Sequence, residues 1–119
     1  MQRILIAEDD PVLSMIYEIT LTEAGFDVLL CSDGQEAFEA LNTFGPDLVI
    51  TDFTMPRMSG GELISAVRRA LPDAATLMAS AIDPRLLKED QQADARLEKP
   101  ITPGRLLQTV RALESRKAA

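Results

Sequence analysis

The 119 residues predict a doubly wound α/β domain in which five short strands alternate with five helices, (βα)5. Short runs rich in Ile, Val and Leu alternate with longer segments of helical period. The runs mostly lack the polar alternation of a half-exposed sheet, as befits strands covered on both faces. Proline and glycine also fall where helices begin and end.

In chain order, Ile4, Leu5, Ile6 and Ala7 make the first strand. Asp10 and Pro11 then give a capping acceptor and a pre-set φ for a helix over 12–23. Its period gathers Val12, Met15, Ile16, Ile19 and Leu21 toward one face, and Gly25 supplies the stop. A second strand over 26–30, broken only by Asp27, precedes a helix over 35–44 carrying Ala37, Phe38, Leu41 and Phe44. Gly45 ends that helix, and Leu48, Val49 and Ile50 form the third strand. The third helix, 62–71, presents Leu63, Ile64, Val67 and Leu71. A fourth strand runs over 75–79. The following segment, 83–94, is charged and has only Leu86 and Leu87 as anchors, so a short or mobile fourth helix is expected. A weak fifth strand at 95–97 leads through Thr102 and Pro103 to a helix over 103–117 with Leu106, Leu107, Val110 and Leu113 inward. No linker or low-complexity tract interrupts residues 1–119, which read as one domain.

Composition removes whole classes of function. Histidine is absent and Cys31 is the only cysteine, so histidine-dependent nucleophilic catalysis, HExxH sites and cysteine zinc cages are out. One thiol makes no intramolecular disulfide, which fits a reducing cytoplasm. Lys and Arg number 12 against 19 Asp and Glu, and the net charge of −7 argues against a binder of nucleic-acid backbone. No apolar stretch approaches the ~20 residues that span a bilayer, and the N-terminus has no signal-peptide layout. The expectation is a soluble, cytoplasmic protein without nucleic-acid or membrane partners.

In open α/β sheets, function collects at the carboxyl ends of strands. Those ends carry Glu8, Asp9 and Asp10, then Asp52, Ser80 and Lys99. If the strands are neighbours, the carboxylates converge and repel unless a cation sits among them. Oxygen ligands alone select Mg²⁺, Mn²⁺ or Ca²⁺ over zinc, and Lys99 with the Ser80 hydroxyl suits phosphoryl oxygens. Separately each has a plainer role. Asp10 beside Pro11 is first a helix cap, Asp52 a turn residue, Lys99 a solvated charge and Cys31 a small core residue. Their order on successive strand ends is what points to chemistry.

With these residues in place, the chain resembles the receiver domain of bacterial two-component response regulators, the CheY-like family, across essentially its whole length. The resemblance rests on Glu8, Asp9 and Asp10 after the first strand, on the string from Asp52 through Met55, Pro56, Met58 and Gly60, and on Ser80-Ala81 and Lys99-Pro100. It implies a flavodoxin-like five-stranded parallel sheet of order 2-1-3-4-5 with helices on both faces. It also implies Asp52 as phosphoacceptor, receiving a phosphoryl group from the phosphohistidine of a histidine kinase or histidine phosphotransfer protein. Glu8, Asp9, Asp52 and the main-chain carbonyl of Thr54 would hold Mg²⁺. Ser80 would be the switch hydroxyl, Lys99 would pair with the phosphoryl group, and the Lys99-Pro100 bond would be cis. Such a protein acts on its own aspartate rather than as an enzyme. It signals to a downstream protein through the face of the fourth helix, fifth strand and fifth helix. The chain is then a single-domain, stand-alone or excised receiver.

Two departures and one absence qualify the resemblance. Arg96 occupies the position three before the lysine where the family commonly has an aromatic residue, and it could instead reach Glu98 or Asp94. Ser80 and Lys99 are 19 positions apart, a short spacing that predicts a reshaped output face. Thr54 and Ile82, two residues beyond Asp52 and Ser80, offer no acid or carboxamide to orient water, which predicts slow loss of phosphate. The enzyme rival, a haloacid-dehalogenase-like phosphatase, wants an Asp two residues past the nucleophile, where Thr54 stands, and its acidic pair late in the chain. A nucleotide-binding protein would carry GxGxxG or GxxxxGK[ST], and neither occurs. A binding module that retains the site without using it is the remaining alternative.

Overall fold

Strand β1 (Arg3–Ala7) lies inside a parallel sheet between β2 (Asp27–Cys31) and β3 (Leu48–Thr51), followed by β4 (Ala75–Ala79) and β5 (Ala95–Leu97). The resulting order, β2-β1-β3-β4-β5, is the one expected. This computed structural model describes residues 3–81 and 83–118. Its α-helices are α1 (Pro11–Glu23), α2 (Gly34–Phe44), α3 (Gly60–Ala70) and α4 (Pro103–Ala118).

Alternation along the strands builds two apolar layers. Ile4, Ile6, Leu48, Ile50 and Leu77 join Tyr17 and Leu21 of α1 and Leu106, Val110 and Leu113 of α4 on one face. Leu5, Ala7 and Val49 point the other way, to Ala37 and Leu41 of α2 and Leu63, Ala66 and Val67 of α3. The helix punctuation is as read. Asp10 caps α1 through the amides of Val12 and Leu13, and Gly25 and Gly45 take φ of +97° and +64°.

Two sequence expectations need correction. The fourth helix does not form: 83–94 holds two 3₁₀ turns, Pro84–Leu86 and Glu89–Gln91, separated by extended Leu87 and Lys88. Only Leu87 is buried there and Leu86 is 72% exposed, so no apolar stripe repays a continuous helix. Polar bonds hold the segment instead. Ser65 of α3 donates to Asp90 at 2.7 Å, Arg68 donates to the Gln92 carbonyl, and the Gln92 amide donates to the Pro84 carbonyl at 2.8 Å. The output face expected around a fourth helix is therefore built from turns.

The inward face of α1 matches the predicted one only through Ile16 and Leu21. Val12, Met15 and Ile19 are 59%, 52% and 49% exposed, while Tyr17 and Leu21 are buried with Leu13 and Ile16 packed beside them. Apolar residues surround much of this helix, so two stripes one residue apart both satisfied the period. In α2, Phe38 likewise lies outside, and Ala37 and Leu41 face the core.

Candidate functional site

Register decides which side chains meet. Ala7 is opposite Thr51, Thr51 opposite Met78 and Ala79 opposite Leu97, so β1, β3, β4 and β5 end along one edge. Glu8 and Asp52 leave adjacent strands side by side, with the Asp52 amide donating to the Ala7 carbonyl at 3.1 Å. Carboxylate oxygens of Glu8, Asp9 and Asp52 lie within 4.8 Å of one another.

Lys99 closes the cluster. Its Nζ donates to Glu8 Oε1 and to Asp52 Oδ2, both at 3.1 Å. The other Asp52 oxygen, Oδ1, accepts from the Phe53 amide at 2.7 Å, which fixes the carboxylate plane. Glu8 is 3% exposed. Burial pushes its carboxyl above the ordinary range despite the Asp10 amide and Lys99 bonds. Burial also works against the Lys99 charge, but hydrogen bonds to Glu8 and Asp52 outweigh it and raise its pKa above the usual value. An all-oxygen donor set around a buried acid suits a hard divalent cation. Lys99 supplies part of the positive charge that such a cluster requires.

The loop from Asp52 to α3 is tightly fixed. Gly60 packs so closely that a Cβ there would stand 2.0 Å from the Asp52 carbonyl oxygen. Ser59 and Glu62 form a reciprocal capping box at the start of α3. Arg57, at φ 70°, sends Nε and Nη2 to the Asp33 carboxylate, each at 3.1 Å, tying the loop to the cap of α2.

Of the expected site residues, Glu8, Asp9, Asp52 and Lys99 come together. Asp10 is occupied in capping α1. Ser80 is 4% exposed at the end of β4, its amide donating to the Leu97 carbonyl at 3.0 Å. Thr54 is exposed in the loop two residues past Asp52, and Ile82 lies outside the described residues. The Lys99-Pro100 bond is cis. Arg96 is half-buried on β5, and its charge helps hold the Asp83 carboxyl below the usual range, behind the larger contribution of Arg85. Asp94 accepts instead from the amide and hydroxyl of Thr76. Cys31 is core, its thiol pushed by burial to about 12.

Sequence reasoning missed Tyr17. It is buried in the α1 layer, and burial raises its phenol above the usual range within reach of the charges of Lys99, Glu8, Asp52 and Asp10. A lone tyrosine among aliphatic residues was the available signal.

The profile of the family described as "Response regulator receiver domain" matches residues 4–111. The "DNA-binding response regulator MtrA" of Mycolicibacterium smegmatis is 33% identical over 113 residues, covering 93% of this chain and 50% of that protein. An uncharacterized 14.6 kDa protein of Leptolyngbya boryana is 35% identical over 113 residues, covering 90% of this chain and 86% of that protein. This chain thus spans about half the length of the MtrA relative. Among solved structures, the chemotaxis response regulator CheY4 of Vibrio cholerae superposes with a TM-score of 0.85 at 30% identity, covering 94% and 98% of the two chains. Response regulator TrrA of Thermotoga maritima, determined in complex with Mg²⁺-BeF, has a TM-score of 0.84 at 28% identity, covering 95% and 99%.

Proposed function

Because the chain belongs to the response regulator receiver domain family of two-component signalling, we propose that Asp52 is its phosphoacceptor. In this reading the donor is a phosphohistidine of a histidine kinase or phosphotransfer protein. The observation that carries it is Lys99 bridging Glu8 and Asp52 inside a cluster of three carboxylates.

An oxygen of Asp52 attacks phosphorus, the bond from phosphorus to the donor imidazole breaks, and the imidazole leaves with a proton. Phosphoryl transfer asks the protein chiefly for alignment and charge neutralisation. Phe53 holds the Asp52 carboxylate through its amide, and Lys99 sits where it can pair with an incoming phosphoryl oxygen. Ser80, buried at the neighbouring strand end, gives a hydroxyl for another. Glu8, Asp9, Asp52 and the Thr54 carbonyl would hold Mg²⁺, which when bound supplies positive charge against the transferring group. The Mg²⁺-BeF complex of the TrrA relative supports this choice of ion.

The chain acts on its own side chain, so we assign it no turnover of an outside substrate. Thr54 offers neither an acid nor a carboxamide to orient water, which supports slow hydrolysis. The signal passes to a downstream protein through the surface of the 3₁₀ turns, β5 and α4. Family membership supports a cytoplasmic setting, and no helix among the described residues is long and apolar enough to cross a membrane.

Incubation with Mg²⁺ and acetyl phosphate, followed by intact mass measurement, tests the reading. The native chain should gain one phosphoryl mass and Asp52→Asn none. No gain in the native chain, or an equal gain in Asp52→Asn, overturns it.

A further inference from the structure

Tyr17 is 2% exposed in the layer shared with Ile6, Ile50 and Leu97, and its hydroxyl has no hydrogen-bond partner among the described residues. An unmatched buried hydroxyl is costly, and phenylalanine would fill the same space without that cost. Helix side chains lean toward the N-terminus, and the N-terminal end of α1 adjoins Glu8, Asp9 and the capping Asp10. Among the site charges that bear on the phenol, that of Lys99 acts most strongly. Lys99 itself spends two of its three donors on Glu8 and Asp52.

We infer that Tyr17 is a positioning residue of this site: its phenolic oxygen accepts from the Lys99 ammonium, directly or across one water, when a divalent cation claims the Glu8 and Asp52 oxygens. The inference rests on the magnesium reading above. A cation on those carboxylates competes with both bonds that now hold Lys99. A half-buried ammonium losing its acceptors either swings to solvent or finds another acceptor on the protein side. Tyr17 offers that acceptor, and it keeps Lys99 inward for the arriving phosphoryl group. The cost of the unmatched hydroxyl in the ion-free protein is the counterpart of a bond made in the loaded one.

The chain has one tyrosine and no tryptophan, so its ultraviolet emission reports Tyr17. Titrating MgCl₂ into the full chain should give a saturable emission change that Asp9→Asn lacks. Tyr17→Phe keeps the ring and removes only the oxygen. Its ion-free melting temperature should equal or exceed that of the native chain. Its phosphorylation by acetyl phosphate at saturating Mg²⁺ should slow by about tenfold. The Lys99 ammonium resonance, retained with Mg²⁺ in the native chain, should broaden through solvent exchange in Tyr17→Phe. Equal rates with the resonance retained overturn the inference, as does a Tyr17→Phe variant that loses rate and melting temperature together. A native chain that gains no phosphoryl mass sinks the parent reading instead, and that failure is visible without the variant.

Discussion

The loop that follows β3 and the connection that follows β4 emerge from neighbouring strands at the same edge of the sheet, yet they are held by different means. The first, from Asp52 to Ser59, is fixed by backbone packing at Gly60, a capping box and the Arg57–Asp33 pair. The second, over 83–94, rests on one buried side chain, Leu87, and on polar bonds to α3 and within itself. Close packing resists displacement steeply, whereas single hydrogen bonds exchange with water at a net cost near 1 kcal/mol. Asp52 thus sits at the start of the stiff loop, and the softer connection beside it is the part that can change shape at small cost.

The contrast can be tested at three places. Gly60→Ala drives a methyl group into the backbone of Asp52 and Phe53, and should lower stability by about 3 kcal/mol in urea unfolding. A loss under 1 kcal/mol would mean that this loop yields as readily as the other. Leu87→Ala removes the single buried anchor of the connection and should cost about 2 kcal/mol. Amide exchange should then quicken over 83–94 while amides around Asp52 keep their native protection. Uniform quickening would show the two segments to be one cooperative unit.

The smallest effect concerns pH. The Glu36 amide first, then the Arg57 guanidinium, hold the Asp33 carboxyl below its ordinary 3.8. Around that value the folded chain therefore binds fewer protons than the unfolded one. The stabilisation is whole above pH 3.8 and drains as pH falls through the lower folded value. Melting curves of the native chain and Asp33→Asn should differ above that window and converge below it. A constant gap would dissociate the Arg57–Asp33 pair from the stiffness of the loop.

Legibility in the sequence followed the same division. Strand positions could be read where runs such as Ile4 to Ala7 and Leu48 to Ile50 admit few environments, and the weaker 75–79 and 95–97 runs also came out with their bounds intact. Glu8, Asp9, Asp52 and Lys99 were legible as a set because strand ends in a parallel sheet converge. The face of α1 was not, since Val12, Met15 and Ile19 form as regular a stripe as the residues that went inside. Contacts with the sheet and with α4, some ninety residues further along, made that choice. The connection over 83–94 failed as a helix because its stability comes from partners such as Ser65 and Arg68, which no local pattern announces. The tie between Asp94 and Thr76 was hidden for the same reason.

The bond from Lys99 to Glu8 joins residues 91 positions apart. During synthesis the acidic residues are therefore made long before the lysine that offsets them. A nascent or truncated chain ending short of β5 carries an acid cluster without its tethered partner, and the pocket becomes electrically settled only once β5 and Lys99 have emerged. On the proposed reading of Asp52 as phosphoacceptor, fragments that stop before β5 would lack the lysine that pairs with its carboxylate.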